Sequence, residues 1–324
     1  MKKATSITSF EQTRLLADAR RMKILQWLMD APATLTQLGQ RLGQSPARVR
    51  HHIQKLVDAD LVEQSEIRVR GTVTEKFYRA KAGAFLIQKL ILPEGDRPAL
   101  LFAGSHDLVI EKIAEKLSPT LDIILYPVGS LDGLINLRQG LCHLSGAHLL
   151  DKSGDYNTPY LSRIFPQRSL QVVTLAHRVQ GLILAPSNPM GIRNLSDLAR
   201  EDIRFANRNA GSGTRIWLDE KLREENIPVA EINGYDNVST THTAAAQKVQ
   251  QGHADAAIGL QAAALQSELD FLPLFEERFD LVVPEVHAKT AAPLFEVIQT
   301  KAFRVTAQSL TGYNVAHSGE QIIY

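Results

Sequence analysis

From Ala17 to Met29 the apolar residues Ile24, Leu25, Trp27 and Leu28 recur at helical spacing among Arg20, Arg21 and Lys23, which predicts a helix. Ala31-Pro32-Ala33-Thr34 breaks the pattern. Thr34 is placed to cap a second helix, TQLGQRLG, whose Leu35, Leu38 and Leu42 share one face before Gly43 ends it. Ser45 is placed to cap a third, SPARVRHHIQKLVDAD, with Pro46 in its first turn, where the missing amide proton does no harm. Two helices across a short glycine-containing turn predict a helix-turn-helix. On the third helix Val49, Ile53 and Leu56 fall at inward spacing, and Arg48, His51, His52 and Lys55 are expected to face outward. After Leu61-Val62, EQSEIRVRGTVTEKFYRA reads as two strands around Arg70-Gly71-Thr72, a β-hairpin wing.

Residues 81–93, KAGAFLIQKLILP, read as a short apolar helix serving as a linker or a dimer contact. From Ala99 short apolar runs alternate with helical patterns: ALLFAGS, LVIEKIAEKL, DIILYPVGS, LDGLINLRQG, LCHLSGAHLL. Such alternation predicts an α/β domain with a mostly parallel sheet and ligand loops at the carboxyl ends of its strands. Three loops share one chemistry: Gly104-Ser105, Gly129-Ser130 and, after a strand at Ile203 to Ala206, Gly211-Ser212-Gly213-Thr214. Each precedes a helical run and offers hydroxyls and free backbone amides at a positive helix end, the makings of an anion site.

Composition sharpens this picture. The 324 residues are too many for one ordinary core, and 44% hydrophobic with 22% charged residues excludes a disordered or fibrous chain. No apolar run is long enough to cross a bilayer, and MKKATSITSF lacks the apolar stretch of a secretory signal, so a cytosolic protein without membrane contact is expected. The single Cys142 forms no internal disulfide, and no CxxC pair holds a metal. Residues 1–80 carry 14 Lys and Arg against 8 Asp and Glu, while the remainder carries 22 against 27. A basic head on an acidic body points to a polyanion-binding module, and the order of helix, capped turn, basic helix and basic hairpin makes duplex DNA the expected partner. Its candidate DNA contacts are Ser45, Arg48, Arg50, His51, His52 and Lys55 on the third helix, with Arg68 and Arg70 on the wing; Gln44 and Gln54 can add hydrogen bonds.

TLTQLGQRLGQSPARVRHHIQKLVDADLVE followed by a wing ending KFYRA resembles the winged-helix domain of ArsR-type transcriptional regulators over residues 15 to 80. Metal-sensing members of that family use cysteines, which this head lacks, so sensing is expected in the body. There, GAHLLDKSGDYNTPYL, LAHRVQGLILAPSNPMGIRNLSDL, RFANRNAGSGTRIWLDE, THTAAAQKVQQGHADAAIGLQAAA and LDFLPLFEERFDLVVP are similar, over residues 99 to 315, to periplasmic-binding-protein-like domains of the type II, molybdate- and tungstate-binding kind. The resemblance implies two α/β lobes closing on a ligand. The expected organisation is a winged helix-turn-helix at 1–82, a linker helix at 83–98 and a binding domain at 99–324, with lobe one at 99–178 and 263–324 and lobe two at 179–262.

The candidate ligand residues are Ser105, His106, Ser130, His148, Tyr156, Asn157, Arg178, Gly211, Ser212, Gly213, Thr214, Arg215 and His242. Arg208 adds to this cationic set, Ser196 is expected to cap a helix, and Arg215 either clamps the anion or pairs with Asp219. GxGxxG and GxxxxGK[ST] are absent, no HExxH-like spacing marks a metal, and consecutive Ser105, His106 and Asp107 do not make a catalytic triad. The expectation is therefore not an enzyme and no resident cofactor. It is a homodimeric, ligand-responsive transcriptional regulator that binds an operator and senses a small anion, molybdate or tungstate first. The alternatives are a molybdenum-cofactor-related accessory protein, or a regulator of a larger organic anion such as a pterin phosphate or an organic acid.

Overall fold

Helix ends written into the sequence set the architecture of the N-terminal part. The computed structural model describes residues 3–7, 9–167 and 169–323, without the side chain of Arg70. The chain divides into two compact units, Met1–Ile91 and Leu92–Tyr324.

The first unit runs β1 (Ala4–Ile7), α1 (Phe10–Leu16), α2 (Ala19–Asp30), β2 (Ala33–Thr34), α3 (Leu35–Leu42), α4 (Pro46–Asp58), β3 (Val62–Arg70), β4 (Val73–Ala80) and β5 (Ala84–Ile87). Asp18 caps α2 by accepting from the amides of Arg20 and Arg21. Thr34 and Gln37 form a reciprocal capping box on α3, and Gly43 ends that helix at φ 65°. The turn into α4 is tight enough that a Cβ on Gly39 would lie 2.6 Å from the Gln44 carbonyl oxygen. Ile24, Leu25, Leu28, Leu38, Val49, Ile53 and Leu56 form the core, against which Tyr78 and Phe85 pack. β2, β4 and β3 make an antiparallel sheet, and Gly71-Thr72 closes the wing. The fold is a helix-turn-helix with a hairpin wing.

The linker helix expected at 83–98 does not form. Ala84–Ile87 is instead a strand paired in parallel with β1. Its AFLI run suits the extended backbone better than a helix, and strand β1 supplies the backbone partners that periodicity within 81–93 does not reveal.

The second unit runs β6 (Ala99–Gly104), α5 (Leu108–Leu117), β7 (Asp122–Pro127), α6 (Ser130–Gln139), β8 (Ser145–Ala147), α7 (Thr158–Ile164), β9 (Leu170–Leu184), β10 (Phe205–Arg208), α8 (Gly213–Glu224), β11 (Val238–Ser239), α9 (His242–Gln250), β12 (Ala256–Leu260), α10 (Gln261–Gln266), β13 (Asp270–Pro284), α11 (Glu285–Ile298), α12 (Lys301–Gln308) and β14 (Tyr313–Asn314). β6 and β7 pair in parallel. The main sheet has the order β11-β10-β12-β9-β13-β8, with β14 also on β9.

Two 15-residue strands, β9 and β13, run antiparallel along the whole sheet and join its halves. Along β9 the second partner changes from β14 at Arg178 to β12 at Gln180. One half holds a core around Leu134, Leu137, Leu149, Leu161 and Phe165. The other packs Leu198, Phe205, Leu218, Leu222 and Ile258. The strand expected at Ile203 to Ala206 begins two residues later. The helix expected to start at Ser196 is a 3-10 turn, Leu195–Ala199, capped by Asn194 through a box with Asp197.

Candidate functional site

On α4, Ser45, Arg48, Arg50, His51 and Gln54 are exposed and Lys55 is half-buried. Ser45 leads into the helix with its side chain uncommitted to the cap. His52 is not on that face: it is buried at 7% exposure, and burial lowers its pKa. The cause is helical geometry, since His52 follows Val49 by three residues and precedes Leu56 by four, within the core stripe. Arg68 pairs with Glu66 on its own strand and lies 4.4 Å over the Phe77 ring. The side chain of Arg70 lies outside the described residues.

In the second unit the three glycine-and-serine loops meet. Gly129 adopts φ 100°, and a Cβ there would lie 2.6 Å from the Gly211 carbonyl. Leu131 N donates to Gly211 O at 3.0 Å, and Asn209 Nδ2 donates to Val128 O at 2.6 Å. A Cβ on Gly213 would come within 2.6 Å of His148 Nδ1. Ser130 Oγ accepts from the His148 amide at 3.2 Å. Ser212 caps α8, accepting from Arg215 N. Ser105 does not cap α5; that role falls to Asp107, whose carboxylate accepts from Val109 and Ile110 amides. Ser105, Ser130, Ser212 and Thr214 are all fully buried.

Ser105 instead bonds His148, which stands beside Glu277. Its Oγ lies 2.7 Å from His148 Nε2, and His148 Nδ1 lies 2.5 Å from Glu277 Oε2. The three residues come from the ends of β6 and β8 and the middle of β13, so the nucleophile-base-acid order is spatial and invisible in the chain. The His148–Glu277 contact is a close approach of charged and polar groups without an aligned hydrogen bond, and the ring's tautomer sets which of Ser105 and His148 donates. Burial lowers the pKa of His148 against the opposing pull of Glu277. Burial opposes ionisation of Glu277, yet His148 and Arg178 beside it hold the carboxyl down at about 2.

Arg178 is fully buried, but its charge is spent within the protein. It donates to Asp107 Oδ2 at 2.8 Å and to Glu277 Oε1, and sits 4.0 Å over the Phe279 ring. Burial disfavours its charge, and the two carboxylates more than offset that, raising its pKa. Tyr313 also donates to Asp107 Oδ2, at 2.7 Å. Arg215 likewise pairs with Asp219 at 2.8 Å and stacks 3.8 Å over Tyr235, so it is no free anion clamp. Asn157 braces the loop by bonding Leu149 N, Ala147 O and Asp280 Oδ2. Tyr156 donates to Glu276 O at 3.1 Å. In these four residues, taken from the sequence as ligand contacts, protein groups engage most of the polar atoms, while Arg178 Nε is buried without a hydrogen-bond partner among the described residues.

Arg208 differs. Its guanidinium is fully buried, yet among the described residues no carboxylate pairs with it; it donates to Ser239 O, Thr240 O and His242 Nδ1. Burial, followed by the neighbouring Arg178, lowers its pKa to about 9. Ser239 Oγ and His242 Nε2 beside it are buried without hydrogen-bond partners among the described residues. Burial and then Arg208 push the His242 pKa well down, so its ring is neutral and the bond at Nδ1 leaves the proton on Nε2. His106 bridges the halves: its Nδ1 accepts from His242 N at 3.3 Å and its Nε2 bonds Glu111 at 2.9 Å. A cation without a counter-charge, flanked by two idle donors, is suited to an anion.

A groove of about 680 Å³ reaches Gly213 from outside, lined by Leu150, Lys152, Tyr160, Arg163, Trp217 and Lys221 among others.

Asp107 as a cap, Gln180, Ser239, Glu277 and Tyr313 escaped the sequence reading. Only Glu277 left a trace, standing at the same strand parity as Phe275 and Phe279, where an apolar residue is the norm.

A family model described as a PBP superfamily domain matches residues 111–299, and one described as a helix-turn-helix domain matches residues 16–65. The uncharacterized protein YvgK of Bacillus subtilis is 34% identical over 235 residues, 71% of this chain and 75% of that one. An uncharacterized HTH-type transcriptional regulator of Methanocaldococcus jannaschii is 36% identical over 77 residues, 24% of this chain and 80% of that one. Among solved structures, Peb3 from Campylobacter jejuni aligns with a TM-score of 0.45 at 16% identity, covering 68% of this chain and 99% of that one.

Proposed function

The chain belongs to the family of the PBP superfamily domain and carries a helix-turn-helix domain before it, and from that premise we propose that it is a ligand-responsive DNA-binding transcriptional regulator. Its second unit closes on a small anion, and its first binds an operator through the exposed basic face of α4. The observation that carries the anion reading is Arg208, a buried guanidinium with no carboxylate partner among the described residues, beside the idle donors of Ser239 and His242. An anion placed there gives the buried charge its missing partner, and its affinity is coupled to whichever state of the protein keeps the cleft shut.

Molybdate, tungstate, sulfate and phosphate are the first candidates by size. A larger organic anion is the second reading, supported by the groove that leads out past Gly213 with Lys152, Arg163 and Lys221 on its walls. The regulator works in the cytosol as a homodimer on a two-fold operator, and effector coupling of about 1 to 3 kcal/mol is the usual scale for such switches.

Two measurements test this. Calorimetric titration of the full chain with the four oxyanions is expected to show saturable heat from at least one, absent in Arg208→Gln. A duplex selected from a random library is expected to shift in a gel with an affinity that the bound anion changes. No heat from any of them, with no effect of Arg208→Gln on any ligand, removes the anion site.

A further inference from the structure

Hydrogen-bond polarity in the cleft follows from which neighbours can only accept. Glu277 is ionised, so a nitrogen can approach its Oε2 at 2.5 Å favourably only if that nitrogen carries the proton, even though the contact lies off the N–H axis. Burial keeps the His148 ring neutral, so it carries a single proton; with Nδ1 against the Glu277 carboxylate that proton is on Nδ1, and Nε2 is a bare lone pair. Ser105 gives its one hydroxyl proton to that lone pair at 2.7 Å. What remains on Ser105 Oγ is acceptor capacity alone.

Gln180 has the same polarity. Its Nε2 donates to Thr214 Oγ1 at 3.1 Å and to Glu277 Oε1 at 2.8 Å. The reversed amide would set its oxygen against that carboxylate, so the orientation is fixed. Its Oε1 is buried without a partner among the described residues. Across the cleft the idle groups are donors: Ser239 Oγ–H, His242 Nε2–H and the charge of Arg208.

Resting on the anion reading above, we infer that the guest must bring a hydrogen-bond donor as well as negative charge. The chemical class is a hydrogen-bearing phosphate, or a phosphoester or organic acid with an O–H or N–H beside its anionic group. The charge lies toward Arg208, Ser239 and His242, and the donor toward Ser105 Oγ and Gln180 Oε1. A fully deprotonated oxyanion such as sulfate or molybdate sets its lone pairs against those two acceptors, and each such mismatch in a sealed site is unfavourable. The inference ranks hydrogen phosphate above the molybdate that sequence resemblance puts first.

Hydrogen phosphate and sulfate are tetrahedral dianions of the same charge that differ by one proton, which makes them the natural pair of probes. Titrating the wild-type full chain at mildly alkaline pH is expected to show inorganic phosphate binding at least about tenfold tighter than sulfate, molybdate or tungstate. Ser105→Ala and Gln180→Leu are each expected to narrow that ratio by weakening phosphate rather than by strengthening sulfate. Sulfate, molybdate or tungstate binding as tightly as phosphate in the wild type overturns the inference while leaving the anion site intact. Silence from all four overturns the anion reading and this inference with it. The wild-type ratio needs no variant to fold.

Discussion

Ser105 and His148, from the ends of two different strands and both buried, stand 2.7 Å apart from Oγ to Nε2, with Glu277 on the far side of the imidazole. The pair ties the first half of the second unit to the crossing strand β13. On the inference drawn above, it also turns a hydroxyl that the sequence offers as an anion donor into an acceptor.

The contact between the Gly129 and Gly211 loops depends on glycine. Gly129→Ala puts a Cβ 2.6 Å from backbone at Gly211 and forces φ 100° on a residue with a side chain. A loss of about 1 to 3 kcal/mol in urea unfolding is expected, together with weakened anion binding. Gly95→Ala, where a Cβ meets nothing within 4 Å, is the control expected to change neither. Equal behaviour of the two variants contradicts the loop contact.

Arg208 is costly to bury and has no carboxylate partner among the described residues, so its removal should separate function from stability. Arg208→Gln is expected to weaken anion binding by about hundredfold, or roughly 3 kcal/mol, with Tm unchanged or raised. A large fall in Tm with affinity preserved would make Arg208 a structural residue.

Stability should fall in acid in two stages. The folded pKa values of His148 and His242 are lowered, so the folded protein resists protonation that the unfolded chain accepts. Their contribution is complete above the unfolded value of about 6.5 and declines below it, by up to about 1.4 kcal/mol per pH unit for each ring. Glu277, held at about 2 in the fold, adds a second loss as pH drops below about 4.5. Urea midpoints measured down the pH scale check this, and a flat profile from neutral pH to pH about 5 contradicts the histidine assignment.

On α4, Arg48→Ala with Arg50→Ala is expected to abolish the gel shift and leave anion affinity untouched, because both side chains are exposed. His52→Ala is expected instead to lower the first unit's stability by about 1 to 2 kcal/mol, as a large side chain leaving a packed face does. An intact, stable protein that binds no DNA after His52→Ala would put this residue back in the interface.

The chain by itself determined the elements whose signals are local. The cap at Thr34, the stop at Gly43, Pro46 opening α4 and the order of strands and helices after Ala99 all act within a few residues and appear in the fold as read. The sheet expected to be mostly parallel is mixed, however, because the long β9 and β13 pair antiparallel with each other and with β12, β8 and β14. The tertiary structure decided what each polar side chain faces. Whether Arg178 is free for a ligand depends on Asp107 and Glu277, and whether Arg208 is free depends on the absence of any such partner. Those carboxylates come from distant segments brought together by β9 and β13. Coulombic pairing and desolvation act through space, so no pattern along the sequence separates a spent charge from an available one.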